Sequence, residues 1–168
     1  MADKKQGNRI TGILLFDLVV IGILCLFLVY SGFFNKEFPK VEAVSLNYEE
    51  ETEKCLFNLL NSEREKPLIL DQELKEIARW KAEEMFRRNF FAHKDPVTGK
   101  IETFNKIYEK DLYNFIGENL VKKYSSCQEA HTALINSEKH KENIVNIRFT
   151  NGAVGCYNNN CVQLFGSK

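Results

Sequence analysis

The chain contains three histidines, His93, His131 and His140. Imidazole is the side chain whose ordinary pKa lies nearest neutrality, so each is a candidate acid–base group or metal ligand. His93 sits in FFAHKDPVTGK, where Asp95, Pro96 and Gly99 demand a turn. His140 sits in INSEKHKENI, among Glu138, Lys139, Lys141 and Glu142, and Glu118 follows a glycine in IGENLV. Two imidazoles and a carboxylate suit Zn2+ or another divalent cation, with water or oxygen ligands completing the shell. The same groups could transfer protons. The competing reading makes each histidine a solvated or structural side chain, and spacing alone leaves both open.

Other chemistries are absent from the sequence. No HExxH, GxSxG, P-loop or GxGxxG pattern occurs, and the cysteines are not arranged in CxxC pairs. Lys and Arg total 23 against 23 Asp and Glu. Without a basic excess or a basic stripe interleaved with aromatics, nucleic acid is not an expected partner.

The elements that must position these residues follow from periodicity. Asn47 and Glu50 make a candidate capping box ahead of Cys55, Leu56, Leu59 and Leu60, predicting a helix that ends near Arg64. Asp71 is the expected N-cap of a second helix, whose stripe is Leu74, Ile77, Ala78, Ala82 and Met85 and which runs to about Asn89. A short helix is expected over Glu102 to Lys110, a strand or turn at IGENLV, and a helix from Gln128 to about Lys141. Two strands, Ala153 to Tyr157 and Cys161 to Phe165, close the chain around a four-residue turn, YNNN. Trp80 and the Phe86, Phe90 and Phe91 group read as core rather than as a ligand cage.

Residues 1–9 carry Lys4, Lys5 and Arg9, and the uncharged run LVVIGILCLFLVYSGFF from Leu18 to Phe34 is long enough to span a bilayer. It is longer than a usual signal-peptide core and no small-x-small cleavage site follows, so we read residues 10–34 as an uncleaved membrane anchor. The basic flank places the N-terminus inside and the domain outside the cytoplasm of a single-pass plasma-membrane protein. Residues 35–50 read as a linker and residues 51–168 as one domain. Its even set of four cysteines fits an oxidising compartment; Cys156 and Cys161 are disulfide candidates across the turn, while Cys55 and Cys127 could pair or stay as core thiols.

The ordered matches are Asn61 and Arg64, Leu68, Leu74, Ala78, Met85, Phe91-Ala92-His93, Gly117-Glu118-Asn119, Asn136-Ser137, His140, and Val162-Gln163 with Phe165. In this pattern the chain closely resembles the CAP superfamily, or SCP domain. That group includes the cysteine-rich secretory proteins, antigen 5 and plant pathogenesis-related proteins, and the chain is most similar to its short bacterial branch. The resemblance implies an α+β fold, an α-β-α sandwich, with a cleft of two histidines and two acidic residues that binds zinc or another divalent cation in some members. His93, Glu118 and His140 match three of those positions. At the fourth, Ser137 stands where a glutamate is expected, and Glu138-Lys139 replaces a helix-breaking Pro-Gly. Ser137 and Glu138 are therefore the candidates for the fourth cleft residue; Glu129, eleven residues before His140, would lie roughly 16 Å away along a helix. His131 matches nothing in the motif and is expected to be structural or solvent-exposed. The functional expectation is a binding module that engages a lipid, cell-envelope or protein ligand. The alternative is a metal-dependent hydrolase, a peptidase or esterase, with Glu118 as general base.

Overall fold

The computed structural model describes residues 48–168. Its elements are α1 (Glu50–Ser62), β1 (Ile69–Leu70), α2 (Gln72–Arg87), α3 (Glu102–Glu109), β2 (Phe115–Lys122), α4 (Cys127–Ile135), α5 (Glu138–Val145), β3 (Asn151–Tyr157) and β4 (Asn160–Ser167). The strands form one sheet in the order β1-β3-β4-β2, with β1 parallel to β3 and the other pairs antiparallel. The expected membrane anchor lies outside the described residues; among those described, no helix is long and apolar enough to cross a membrane.

Alternation along the strands explains why the sheet is covered on both faces. Ala153 and Tyr157 of β3 with Val162 and Leu164 of β4 face α2, where Leu74, Ile77, Ala78, Ala82 and Met85 meet them. Val154, Cys156, Cys161 and Phe165, the intervening residues, face α1, α4 and α5 through Leu56, Leu60, Ala130, Leu134 and Ile144. The result is the expected α-β-α arrangement. Packing of α2 on β3 is so close that a β-carbon at Gly155 would lie 2.2 Å from the Arg79 backbone nitrogen.

Polar side chains tie the layers together. Asp71 caps α2 as predicted, accepting from Leu74 N at 3.0 Å, a bond worth about 1 kcal/mol. Asn61 grips both backbone groups of Leu68, accepting from its N–H at 2.8 Å and donating to its carbonyl at 3.3 Å. Arg64 donates to the carbonyls of Ile144, Asn146 and Phe149, satisfying the C-terminal end of α5. Buried Glu53 accepts from Arg79 and from the Cys156 backbone N–H and pairs with Lys75.

Several expectations need correction. The N-cap of α1 is Glu49, without a side-chain cap bond, and Asn47 of the expected capping box lies outside the described residues. Strand β1 was not anticipated, because two residues carry no period; its pairing with β3 defines it. The hairpin turn is Asn158-Asn159, not the four residues YNNN, because Tyr157 and Asn160 already pair across the strands. Both asparagines have positive φ (46° and 55°), a backbone that asparagine tolerates and tight hairpins require. The helix expected over 128–141 is broken at Asn136 and Ser137, where the Ser137 backbone is extended. Phe86 is 47% exposed rather than core. The disulfide Cys156–Cys161 joins β3 to β4, and Cys55–Cys127, left open by spacing, joins α1 to α4.

Candidate functional site

His93 is delivered by a segment pinned at both ends. After α2, Asn89 adopts a left-handed φ of 52°, the conformation that ends helices, and turns the chain back. Beyond His93, Asp95 closes an Asx turn by accepting from the N–H groups of Val97 and Thr98 at 2.8 and 3.0 Å. Arg88 clamps the same carboxylate, and it and the Thr98 N–H hold Asp95 well below the usual carboxylate pKa. Between these anchors the His93 carbonyl accepts from Lys81 Nζ at 2.9 Å.

The imidazole of His93 is oriented by Glu118. Its Nδ1 lies 2.7 Å from Glu118 Oε1, while Thr103 Oγ1 donates to Oε2 at 2.6 Å. A carboxylate accepts, so this geometry assigns the His93 proton to Nδ1 and leaves Nε2 with its lone pair. The side chain of His93 is 48% exposed and that of Glu118 is 2% exposed, so a buried carboxylate aims a solvent-accessible imidazole. Glu118 can occupy its place because Gly117 beside it has no side chain; a β-carbon there would meet Phe149 at 2.7 Å.

His140 lies in the first turns of α5. Its carbonyl accepts from Asn119 Nδ2 at 3.0 Å, and Asn119 also bonds Gln163 and Asn143, fastening α5 to β2 and β4. The His140 Nδ1 is buried and has no hydrogen-bond partner. Burial, and then the neighbouring His93, hold its pKa below the ordinary histidine value, which favours the neutral imidazole that binds metals. The two histidines are therefore close enough to sense each other, and a buried side chain grips the backbone carbonyl of each.

The structure brings His93 and Glu118 into contact and His140 near them. Ser137 and Glu138 make no hydrogen bond with the three. Ser137 is the half-buried N-cap of α5, and Glu138 is exposed. Among the described residues no group of three or more His, Cys, Asp or Glu side chains converges to metal-holding distance. With both Glu118 oxygens engaged, the donor set fits two imidazoles with solvent completing an open site, and Glu118 takes the position of a partner that orients a ligand. His131 is buried rather than solvent-exposed: it is 7% exposed, with Nε2 3.1 Å from Oε1 of Glu63 at the C-terminal end of α1.

Sequence reasoning missed Lys81 and Thr103. Lys81 is 1% exposed and lies on the apolar stripe of α2, between Ala78 and Ala82. A lysine on a helix's buried face was the signal available. Thr103, in the first turn of α3, carries no such mark, since only folding brings α3 against β2.

A three-layer α-β-α domain carrying an oriented histidine beside a buried glutamate defines the class. The chain belongs to the cysteine-rich secretory protein family (CAP), whose profile matches residues 61–165. It is 36% identical over 107 residues to the uncharacterised protein YkwD of Bacillus subtilis strain 168, an alignment covering 61% of this chain and 41% of that one. An extracellular SCP-domain protein of Bacillus anthracis has a similar structure (TM-score 0.64, 28% identity), covering 71% of this chain and 41% of the other. An outer surface protein of Borrelia burgdorferi shares the fold (TM-score 0.60, 22% identity), covering 71% and 94%. The chain thus spans about two fifths of the length of both Bacillus proteins.

Proposed function

We propose that this protein is a membrane-tethered, extracytoplasmic CAP domain that acts as a binding module. Its His93, Glu118 and His140 cleft takes Zn2+ or another divalent cation and engages a lipid, cell-envelope or protein ligand. The observation that carries this reading is the 2.7 Å contact between Glu118 Oε1 and His93 Nδ1, which turns Nε2 outward as a prepared donor. The unpartnered Nδ1 of His140 supports it as a second nitrogen donor with no bond of its own. The apolar run of residues 18–34 supports the tether, and the description of the Bacillus anthracis relative as extracellular supports the location.

A second reading, a metal-dependent peptidase or esterase with Glu118 as general base, is favoured by the buried Glu118 carboxylate set 2.7 Å from the exposed His93 ring. A bound cation would supply a polarised water. His93 and His140 would hold that cation, and Glu118 would take the proton from the water.

The test is calorimetric titration of Zn2+ into the full chain and into a His93→Ala, His140→Ala double variant. Saturable binding lost in the variant supports the cation site; absent or unchanged binding overturns it. A peptidase and esterase panel on the same two proteins then separates module from enzyme. Turnover abolished by the double substitution would favour the second reading.

A further inference from the structure

A groove of about 390 Å3 lies at the hairpin end of the domain, and none of His93, Glu118 and His140 lines it. Its floor is aromatic: Phe86 is 47% exposed, Phe90 and Phe91 are half-buried, and all three line it. Lys122 and Lys123 stand on its wall, Lys122 Nζ lying 4.5 Å from the centre of the Phe91 ring. The lining contains no acidic residue, and neither lysine forms an ion pair among the described residues. Glu49 meets the turn, accepting from the Asn159 N–H at 2.6 Å and from the Tyr124 hydroxyl at 3.0 Å, and its charge offsets part of that of the two lysines. In a chain with balanced charge, this is a local positive patch.

The groove is also rich in uncommitted amides. Asn160 spends its side chain on the carbonyls of Tyr157 and Asn158. The side chains of Asn89, Asn158 and Asn159 make no hydrogen bond among the described residues. All three have positive φ, as does Lys123, so the backbone holding them is set by tight turns rather than by loose loop. Each primary amide offers donors beside an acceptor, the complement of hydroxyl groups that both give and receive.

We infer that this groove binds an anionic polysaccharide. Phe86, the most exposed of the three rings, offers a face whose negative quadrupole lobe attracts the weakly positive C–H face of a sugar. The asparagine amides match hydroxyl and N-acyl groups, and the lysines match carboxylates. An acidic peptide would use the lysines equally but would leave the amides without the dense hydroxyl partners they fit. Glu118, Leu120 and Lys122 project from one face of β2, so the groove begins roughly 13 Å along the strand from Glu118. The site needs no cation and stands apart from the His93 cleft.

Hyaluronan hexasaccharide, which carries carboxylates, tests this against neutral chitohexaose and a glutamate hexapeptide, all titrated into the full chain with EDTA present. The expected result is hyaluronan binding that shifts the amide NMR signals of Phe86, Asn89, Lys122 and Asn158. Lys122→Gln with Lys123→Gln should weaken it about tenfold or more, the scale of a lost charged contact. Phe86→Ala should weaken it too, and Asn158→Asp serves as a second probe should either protein lose its fold. Absence of hyaluronan binding overturns the inference. Equal binding of the glutamate peptide overturns the polysaccharide assignment, and equal binding of chitohexaose overturns the role of charge.

Discussion

Replacing Lys81 with methionine isolates what a buried cation does behind the candidate site. The ammonium is 1% exposed, donates to the His93 carbonyl at 2.9 Å and lies 4.9 Å from the Phe90 ring centre. Burial pushes its pKa below the ordinary lysine value, and Glu118 and then Asp95 pull it back. Two effects of the substitution oppose each other. Losing a charged hydrogen bond and leaving the His93 carbonyl unpaired costs about 1.5–3 kcal/mol. Removing an ammonium from the interior relieves a desolvation cost of similar order, and methionine keeps the apolar stem. Urea unfolding should therefore change by less than about 2 kcal/mol in either direction. The local consequence is larger: with its carbonyl released, the His93 segment loses the register that sets Nδ1 against Glu118. Imidazole nitrogen NMR shifts should report a single Nδ1–H tautomer of His93 in the native chain and a mixture in Lys81→Met. Zn2+ affinity should fall roughly tenfold or more, the usual effect of losing an outer partner of a ligand. Lys81→Arg, which keeps a donor, should recover part of the tautomer preference. An unchanged tautomer and unchanged affinity would refute the positioning role, and a wholesale loss of fold would show that Lys81 is structural. A native chain without the Nδ1–H tautomer would instead refute the His93–Glu118 pairing itself.

Three further outcomes test the fold. Glu53→Gln leaves Arg79, Lys75 and the Cys156 N–H facing an amide; with those cations about a fifth exposed, urea unfolding should lose about 2–3 kcal/mol. A loss under about 1 kcal/mol would refute the buried ion pair's importance. The two disulfides differ in the loop they close, 72 residues for Cys55–Cys127 and 5 for Cys156–Cys161, so their removal as alanine pairs should cost about 4 and about 2 kcal/mol. The reverse order in chemical denaturation would refute the entropic account. Burial, and then the hydrogen bond to Glu83, push the Tyr48 phenol up to about 12. Because its folded pKa lies above its unfolded value near 10, the stability it contributes is whole below pH 10 and is lost between pH 10 and 12. Tyr48→Phe should make the fall in stability between pH 10 and 12 shallower without abolishing it, because burial raises Tyr113 and Tyr124 as well; an unchanged profile would refute the Tyr48 contribution.

Local chemistry in the sequence was sufficient for much of this. The stripe behind Asp71 can bury itself only as a helix, so α2 and its cap were readable from residues 71–87, and the alternating apolar residues of 151–167 define the hairpin. The ordered matches from Asn61 to Phe165 identify the family. The structure gives several of them a physical reason, since Asn61, Arg64, Asn119 and Gln163 are side chains that bind distant backbone or one another. Apart from the Asn61–Leu68 pair, those bonds join residues far apart in the chain, so spacing cannot disclose them. The sequence by itself determined most of the elements and the family they belong to, and it named His93 and His140 as the candidate site histidines. Only the tertiary structure decided that the 128–141 segment breaks at Ser137, because the sheet and Asn119 draw α5 into place. It also turned Glu118 toward His93 and Thr103 and put Lys81 under the His93 carbonyl. A buried polar group takes whatever partner folding brings within about 3 Å, and that proximity is a property of the packed layers.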